Sequence, residues 1–399
     1  MLSISRAQLQ RHTLRQQCLS APAGTVEQAV TDMLGCRGAE GSTAYLSLLW
    51  RVKGFAPDQF DRAVHQDRTL LRVRGPRGTY YWVTPALAPL FLAAARTEPH
   101  REFLLAWGMQ EGEYRAIEAE ITSAVTGCPM PVRDLTRRMP ADLRRPVQRK
   151  GQPPSTALAV TLDAMQLAGQ VTLLKEPGFA RHRTPEYYGD ARDITRPNLV
   201  GLVADLYPTV QPEAWEQNKA RTELVRAYIK TYGPVTPDDI AWWTGWTKRD
   251  VQAHLRCIAG EVAEVQVQGL PGTFLIHTPT WNPATESDPA TAWLLPGGDS
   301  LMKGYAGFAR FLANDADDHN VLRFMPAVFI DGLGLGNWGY RLTTNTAEVL
   351  LELFTPPDEA LREPLESAAS RVSHLLTGAR GGLRIHQRTG RWNPHAVYP

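Results

Sequence analysis

Gly334, Gly336 and Gly339 spell GxGxxG directly after the apolar run "AVFIDG", the spacing with which a backbone turn cradles a dinucleotide pyrophosphate. That chemistry needs a helix opening at the last glycine. Here "YRLTTNTAEVLLELF" reads as another strand and no βαβ unit surrounds it, so the glycines are expected at a hairpin tip. The sequence has no Walker loop, no HExxH and no GxSxG, which removes the parts for P-loop phosphate transfer, zinc hydrolysis and the common serine hydrolases. Cys18, Cys36, Cys128 and Cys257 are scattered, without a CxxC pair or a His at ligand spacing. Ordinary thiols are expected, not a disulfide framework or a zinc site, and no metal or cofactor is implied.

Positive charge is the chemistry that remains. Forty-three Lys and Arg against 41 Asp and Glu leave a formal charge of only +2, but the residues are unevenly spread. From Arg133 to Lys150, "RDLTRRMPADLRRPVQRK" holds seven basic and two acidic residues. Such a stretch is a phosphate-seeking surface or a solvated face. The candidates for phosphate contact are Arg137, Arg138, Arg144, Arg145 and Lys150, with Arg181 and Arg183 in the hairpin that follows and Lys248, Arg249, Gln252 and Arg256 on a later exposed helix. The alternative for each is an ordinary surface charge.

The elements that must position these residues repeat. In "YGPVTPDDIAWWTGW" (232–246), Thr236 caps a helix, Pro237 suits its first position and Asp239 supplies the third-position carboxylate. The helix is short, so Trp242, Trp243 and Trp246 are expected to supply the buried area its length cannot. Before it, "RTELVRAYIKTYG" is helical; after it, Thr247 caps "KRDVQAHLRCIA", with Val251, Leu255 and Ile258 on one face. "EVAEVQVQ" and "TFLIHT" then form a hairpin. Three helices and a two-stranded wing make a winged helix. The order recurs at 113–126, "MPVRDLTRRM", "STALAVTLDAMQLAG" (with Leu158, Leu162 and Met165 in register), "QVTLLKE" and "ARHRTPEYY". It recurs again near the N-terminus, where four helical stretches precede "TLLRVRG" and "GTYYWVTP".

From about residue 290, "TAWLLPGGD", "LRFMPAVFIDG", "LGNWGYRLTT" and "AEVLLELF" predict a small antiparallel sheet or barrel, and "PDEALREPLESAASRVSHLLTG" a helix. The class is α+β. The expected domains are 1–98 (a winged helix with an extra helix), 99–200 and 201–284 (two more winged helices), and 285–399 (β-rich with a helix). No apolar run approaches the roughly 18–20 residues needed to span a bilayer, and residues 1–17 look like the start of a polar helix. A cytoplasmic, nucleoid-associated protein, with no membrane partner, is expected.

Several segments resemble the AlkZ/YcaQ-like family of winged-helix DNA-binding proteins and DNA glycosylases. "RGTYYWVTP" (77–85) is similar to its RGTxHxVxP signature, "YGPVTPDDIAWWTGW" to YGPxTxxDxxxWxG, "WLLPGGDSLMKGY" to LLPxxDxxLxGY, and "RFMPAVFIDGLGLGNWGY" to its late hairpin. The elements keep the family's order across nearly the whole chain. The resemblance implies three tandem winged helices and a small C-terminal β-barrel in a C shape around double-stranded DNA, with alkylated bases, some in interstrand crosslinks, removed by hydrolysis. A monomer is expected. It places Arg77 near the site, puts Tyr81 where the family has histidine, and makes Asn337 and Trp338 candidates to wedge into the minor groove. The family's Gln-x-Gln or Gln-x-Asp motif falls on Arg37 and Ala39 of "CRGAEG", and neither matches. Arg37 is left as an electrostatic or phosphate contact. Glu40, one position on, is the candidate catalytic carboxylate if the loop shifts its register, and otherwise a first-turn helix carboxylate. The alternative function is DNA binding without catalysis, in damage recognition, architecture or regulation.

Overall fold

The computed structural model describes residues 2–38, 42–95, 100–174, 199–282, 291–312, 325–342, 347–379 and 381–387. The chain opens with β1 (Leu2–Ile4), α1 (Arg6–Gln16), α2 (Val26–Asp32), β2 (Cys36–Arg37), α3 (Thr43–Arg51) and α4 (Pro57–His65). Next come β3 (Leu71–Arg74), β4 (Tyr80–Val83), α5 (Ala88–Ala95), α6 (His100–Ala106), α7 (Glu111–Val125), β5 (Met130–Pro131), α8 (Val132–Arg138), β6 (Pro146–Val147), β7 (Ser155–Thr156), α9 (Ala157–Leu167), β8 (Val171–Leu174) and β9 (Leu199–Leu202). Then follow α10 (Val203–Leu206), α11 (Gln217–Tyr232), α12 (Pro237–Thr244), α13 (Lys248–Cys257), β10 (Val262–Val267) and β11 (Phe274–His277). The last elements are β12 (Ala292–Leu295), β13 (Ala327–Ile330), β14 (Leu333–Leu342), β15 (Ala347–Leu353), α14 (Arg362–Thr377) and β16 (Leu383–Gln387). The fold is mixed α+β. Backbone contacts divide the described residues into two compact units, one drawn from 1–61 and 225–399, the other from 62–177 and 195–224.

In the second unit, Tyr114, Ile117 and Ile121 of α7 pack with Leu158, Leu162 and Met165 of α9 in one core, as the apolar spacing of both helices dictates. The hairpin β3–β4 also packs here. Arg74 lies 3.3 Å from Asp163 of α9, and the Thr172 hydroxyl donates to the Arg72 carbonyl at 2.8 Å. The strand that pairs with β8 is β9, antiparallel from Val171↔Leu202 to Leu174↔Leu199. The return strand read at "ARHRTPEYY", with Arg181 and Arg183, lies outside the described residues.

In the first unit, Thr236 and Asp239 form the expected capping box and α12 starts at Pro237; Thr247 and Asp250 form another at α13. Trp243 is buried against Tyr228 and Tyr232, whereas Trp242 and Trp246 are half-buried, so one tryptophan rather than three fills the core. The hairpin β10–β11 gains a third strand that the sequence did not announce: β1 pairs parallel with β10, Leu2↔Val265 to Ile4↔Val267. A Ser5–Gln8 capping box then starts α1, and Ile4 and Leu9 join Val265, Phe274 and Ile276 in a local core.

The barrel expected at the C-terminus is instead an open five-stranded sheet, β12-β13-β14-β15-β16. The physical reason is the α14 crossover, which sets β16 parallel beside β15 (Val349↔Leu383) and so extends one edge rather than returning to β12. Gly334, Gly336 and Gly339 are not at a hairpin tip but inside β14; the turn is made by Asp331 and Gly332 at φ 49 and 87. Gly336 is required by close backbone approach, because a Cβ there would fall 2.2 Å from the Glu352 carbonyl oxygen. Among the described residues no helix is long and apolar enough to cross a membrane.

Candidate functional site

The segment leading into α3 is held from both sides by the turn after β12. The Arg37 backbone N–H donates to the Ser300 hydroxyl oxygen at 3.0 Å, and that hydroxyl donates to the Gly35 carbonyl at 3.3 Å. The Arg37 guanidinium donates to the Gly298 carbonyl at 3.4 Å. Beyond the segment, Asp299 takes hold of α3. It accepts from Arg51 through both oxygens (2.7 and 2.8 Å) and from the Ser47 hydroxyl (2.6 Å), while the Leu301 N–H also donates to it. Arg51 and Asp299 are wholly buried. Burial pulls the Arg51 pKa down, but the charge and hydrogen bonds of Asp299 outweigh it, and the guanidinium ends above its usual value.

Two indoles fix the sheet under this segment. Trp50 of α3 donates to the Leu294 carbonyl and Trp338 of β14 to the Leu295 carbonyl, each at 2.9 Å. Ser42, Thr43, Gly297, Pro326 and Trp338 border a cavity of only ≈ 10 Å³. Asn337 donates to the Pro326 carbonyl at 3.0 Å.

The same turn continues into the helices. Tyr228 donates to the Gly304 carbonyl and Tyr305 to the Tyr232 carbonyl, the latter at 2.9 Å. A Cβ on Gly304 would meet the Tyr232 ring at 2.5 Å, so this crossing admits only glycine. Asp239 keeps its place in the capping box, accepting from the Thr236 N–H at 2.9 Å, and also pairs with buried Arg310 and accepts from the Ala306 N–H at 2.8 Å. Two segments far apart in sequence, 228–239 and 296–310, are therefore one joint.

Arg37, Asn337 and Trp338 all lie in the first unit and are all buried (5%, 3% and 2% exposed), so none presents its side chain to solvent. Glu40 lies outside the described residues. In the second unit, Tyr81 is 3% exposed with its ring against Phe91, and Arg77 stands exposed in a left-handed turn at φ 56. Arg137, Arg138, Arg144 and Lys150 are exposed, Arg137 beside Asp134 at 3.3 Å. Arg145 differs. It holds both Glu113 oxygens at 2.7 Å and the Gly108 carbonyl at 2.7 Å, and Glu113 raises its pKa. Lys248, Arg249, Gln252 and Arg256 are exposed on α13, Lys248 pairing with Asp238 at 2.7 Å.

Sequence reasoning missed Arg51, Ser300 and Arg310. For Arg51 a signal existed: one charge closing the apolar run "AYLSLLW" needs a partner if the helix is buried.

Comparison with known proteins bears on this arrangement. No curated protein matches the sequence. The solved structure of Streptomyces sahachiroi DNA glycosylase AlkZ is similar, with a TM-score of 0.71 at 18% identity over 96% of this chain and 100% of that one. Residues 30–375 match the family described as "DNA glycosylase AlkZ-like". That match takes in the clamped segment, both ends of the joint and most of the C-terminal sheet, and the chain belongs to the AlkZ-like DNA glycosylase family.

Proposed function

We propose that this protein binds alkylated double-stranded DNA, in DNA repair, and hydrolyses the N-glycosidic bond of the damaged base. An alkylated purine bearing positive charge is already a good leaving group, so the protein has chiefly to position a water and stabilise an oxocarbenium-like sugar. Glu40 is the carboxylate for both tasks. The observation that carries the reading is the clamp around the segment before α3: Ser300 and Gly298 hold Arg37 within it, and Asp299 holds Ser47 and Arg51 of the helix that follows. A rigid mount on both flanks is what a water-positioning loop requires.

In this reading the helix–hairpin groups are three winged helices (1–98, 99–200 and 201–284) ahead of the domain 285–399. They wrap the duplex in a C shape, as a monomer at the nucleoid, with crosslinked bases among the substrates. Arg138, Arg144 and Lys150 and the exposed face of α13 meet phosphates. Mass spectrometry of base released from duplexes bearing 7-alkylguanine tests the proposal. Free alkylguanine is expected, and none across several alkyl lesions overturns it. A second reading, DNA binding without hydrolysis, is favoured by one observation: Arg37, at the family's first motif position, is buried with its guanidinium on a backbone carbonyl.

A further inference from the structure

A cavity of ≈ 690 Å³ opens between the end of α3, the connection to α4 and the last turns of α14. Its volume falls within the roughly 300–1,000 Å³ of small-molecule sites. Arg371 and His374 line it, with Phe55, Leu49 and Leu375 as apolar wall, and no acidic side chain is among the lining residues. Arg371 is held in place from behind. Its Nη2 donates to the Leu49 carbonyl at 2.7 Å and its guanidinium carbon lies 4.7 Å from the Trp50 ring. Among the described residues no carboxylate pairs with it, and burial alone pulls its pKa below the usual value. Complementing the helix dipole accounts for His374, in the last turn, but not for Arg371, nearly two turns before Gly378. Arg371 and His374 are both exposed to solvent within the cavity, and a guanidinium with donors to spare, facing a lining without acids, favours an anion.

The geometry points to a phosphate-binding pocket in which Arg371 and His374 grip the phosphate monoester of a nucleotide-sized ligand and Phe55 lies against its apolar body. Arginine suits this role because its remaining N–H groups form a planar fork that matches phosphate oxygens. The monoester could belong to a free mononucleotide or to the end of a DNA strand. This inference does not rest on the glycosylase reading.

Isothermal titration of the full chain at low salt with inorganic phosphate, dAMP, and a short duplex with or without 5′-phosphates tests it. Phosphate and dAMP are expected to bind, dAMP more tightly, and Arg371→Gln is expected to weaken both by about tenfold or more, as loss of a charge-assisted pair does. His374→Gln should weaken them less, and Arg371→Lys should restore part of the loss. A duplex that binds better when phosphorylated, with the preference lost in Arg371→Gln, assigns the pocket to strand ends; no such preference assigns it to free nucleotides. If Arg371→Gln fails to fold, His374→Gln and Arg371→Lys carry the comparison. Absence of binding by phosphate and dAMP up to about 10 mM, or binding that the variants leave unchanged, overturns the inference.

Discussion

Arg51 and Asp299 form a two-pronged ion pair from which solvent is entirely excluded, joining helix α3 to the turn that also holds Arg37. Removing one partner strands the other charge in the interior. Asp299→Ala should therefore cost about 3–5 kcal/mol, whereas Arg51→Met with Asp299→Leu should recover much of it. Guanidinium denaturation midpoints at constant m decide the matter; a cost below about 1 kcal/mol for Asp299→Ala would mean that packing, not the pair, holds α3.

The second joint predicts an ordering. Thr236→Ala removes one helix cap and should cost about 1 kcal/mol. Asp239→Ala removes the reciprocal half of the capping box, the Ala306 contact and the partner of buried Arg310, and should cost about 3 kcal/mol or more. Equal losses in thermal unfolding would show that Arg310 contributes nothing beyond the cap.

These joints also show where the sequence was legible. Local rules were enough for α12: a capping box, a proline at the first position and Gly245 in the left-handed conformation all act within a few residues. The apolar register of α9 was equally plain. What escaped depends on partners far along the chain. Nothing near Leu2 says that it will pair with Val265, and nothing in β15 says that the next strand will lie parallel to it. For the candidate site, family resemblance pointed to the segment around Arg37, but burial of Arg37, Asn337 and Trp338 is a tertiary outcome. For the glycines of β14 the error was one of position, since they lie within the strand rather than at its tip, and at Gly336 a close strand neighbour demands the glycine.

His12 gives stability an acid limb. It is buried beside Trp281, ring centroids 4.6 Å apart, and burial lowers its pKa from the usual 6.5. Above 6.5 neither state is protonated at this site and no penalty exists. As pH falls below 6.5 the unfolded chain takes up a proton that the folded protein resists, so stability declines until the lowered folded pKa is passed. His12→Gln should flatten this limb in denaturation curves between neutral and acid pH. An unchanged limb would assign the loss to other groups, His277 among them.

The basic face predicts a division of labour among neighbouring arginines. Arg138→Ala and Arg144→Ala should each weaken duplex binding and lower the slope of log affinity against log salt by about 1, with stability unchanged. Arg145 is committed to Glu113 and Gly108, so Arg145→Ala should lower stability and leave that slope nearly intact. Identical slopes for all three would contradict the assignment.

The most direct measurement is strand cleavage by alkali after the protein has been incubated with a duplex carrying 7-alkylguanine, using the unaltered chain and Glu40→Gln side by side. Breaks at the lesion are expected with the unaltered chain, and their loss in Glu40→Gln, with DNA binding kept. Breaks that persist in Glu40→Gln would remove Glu40 from the chemistry, and unbroken DNA across several lesions would contradict the glycosylase itself.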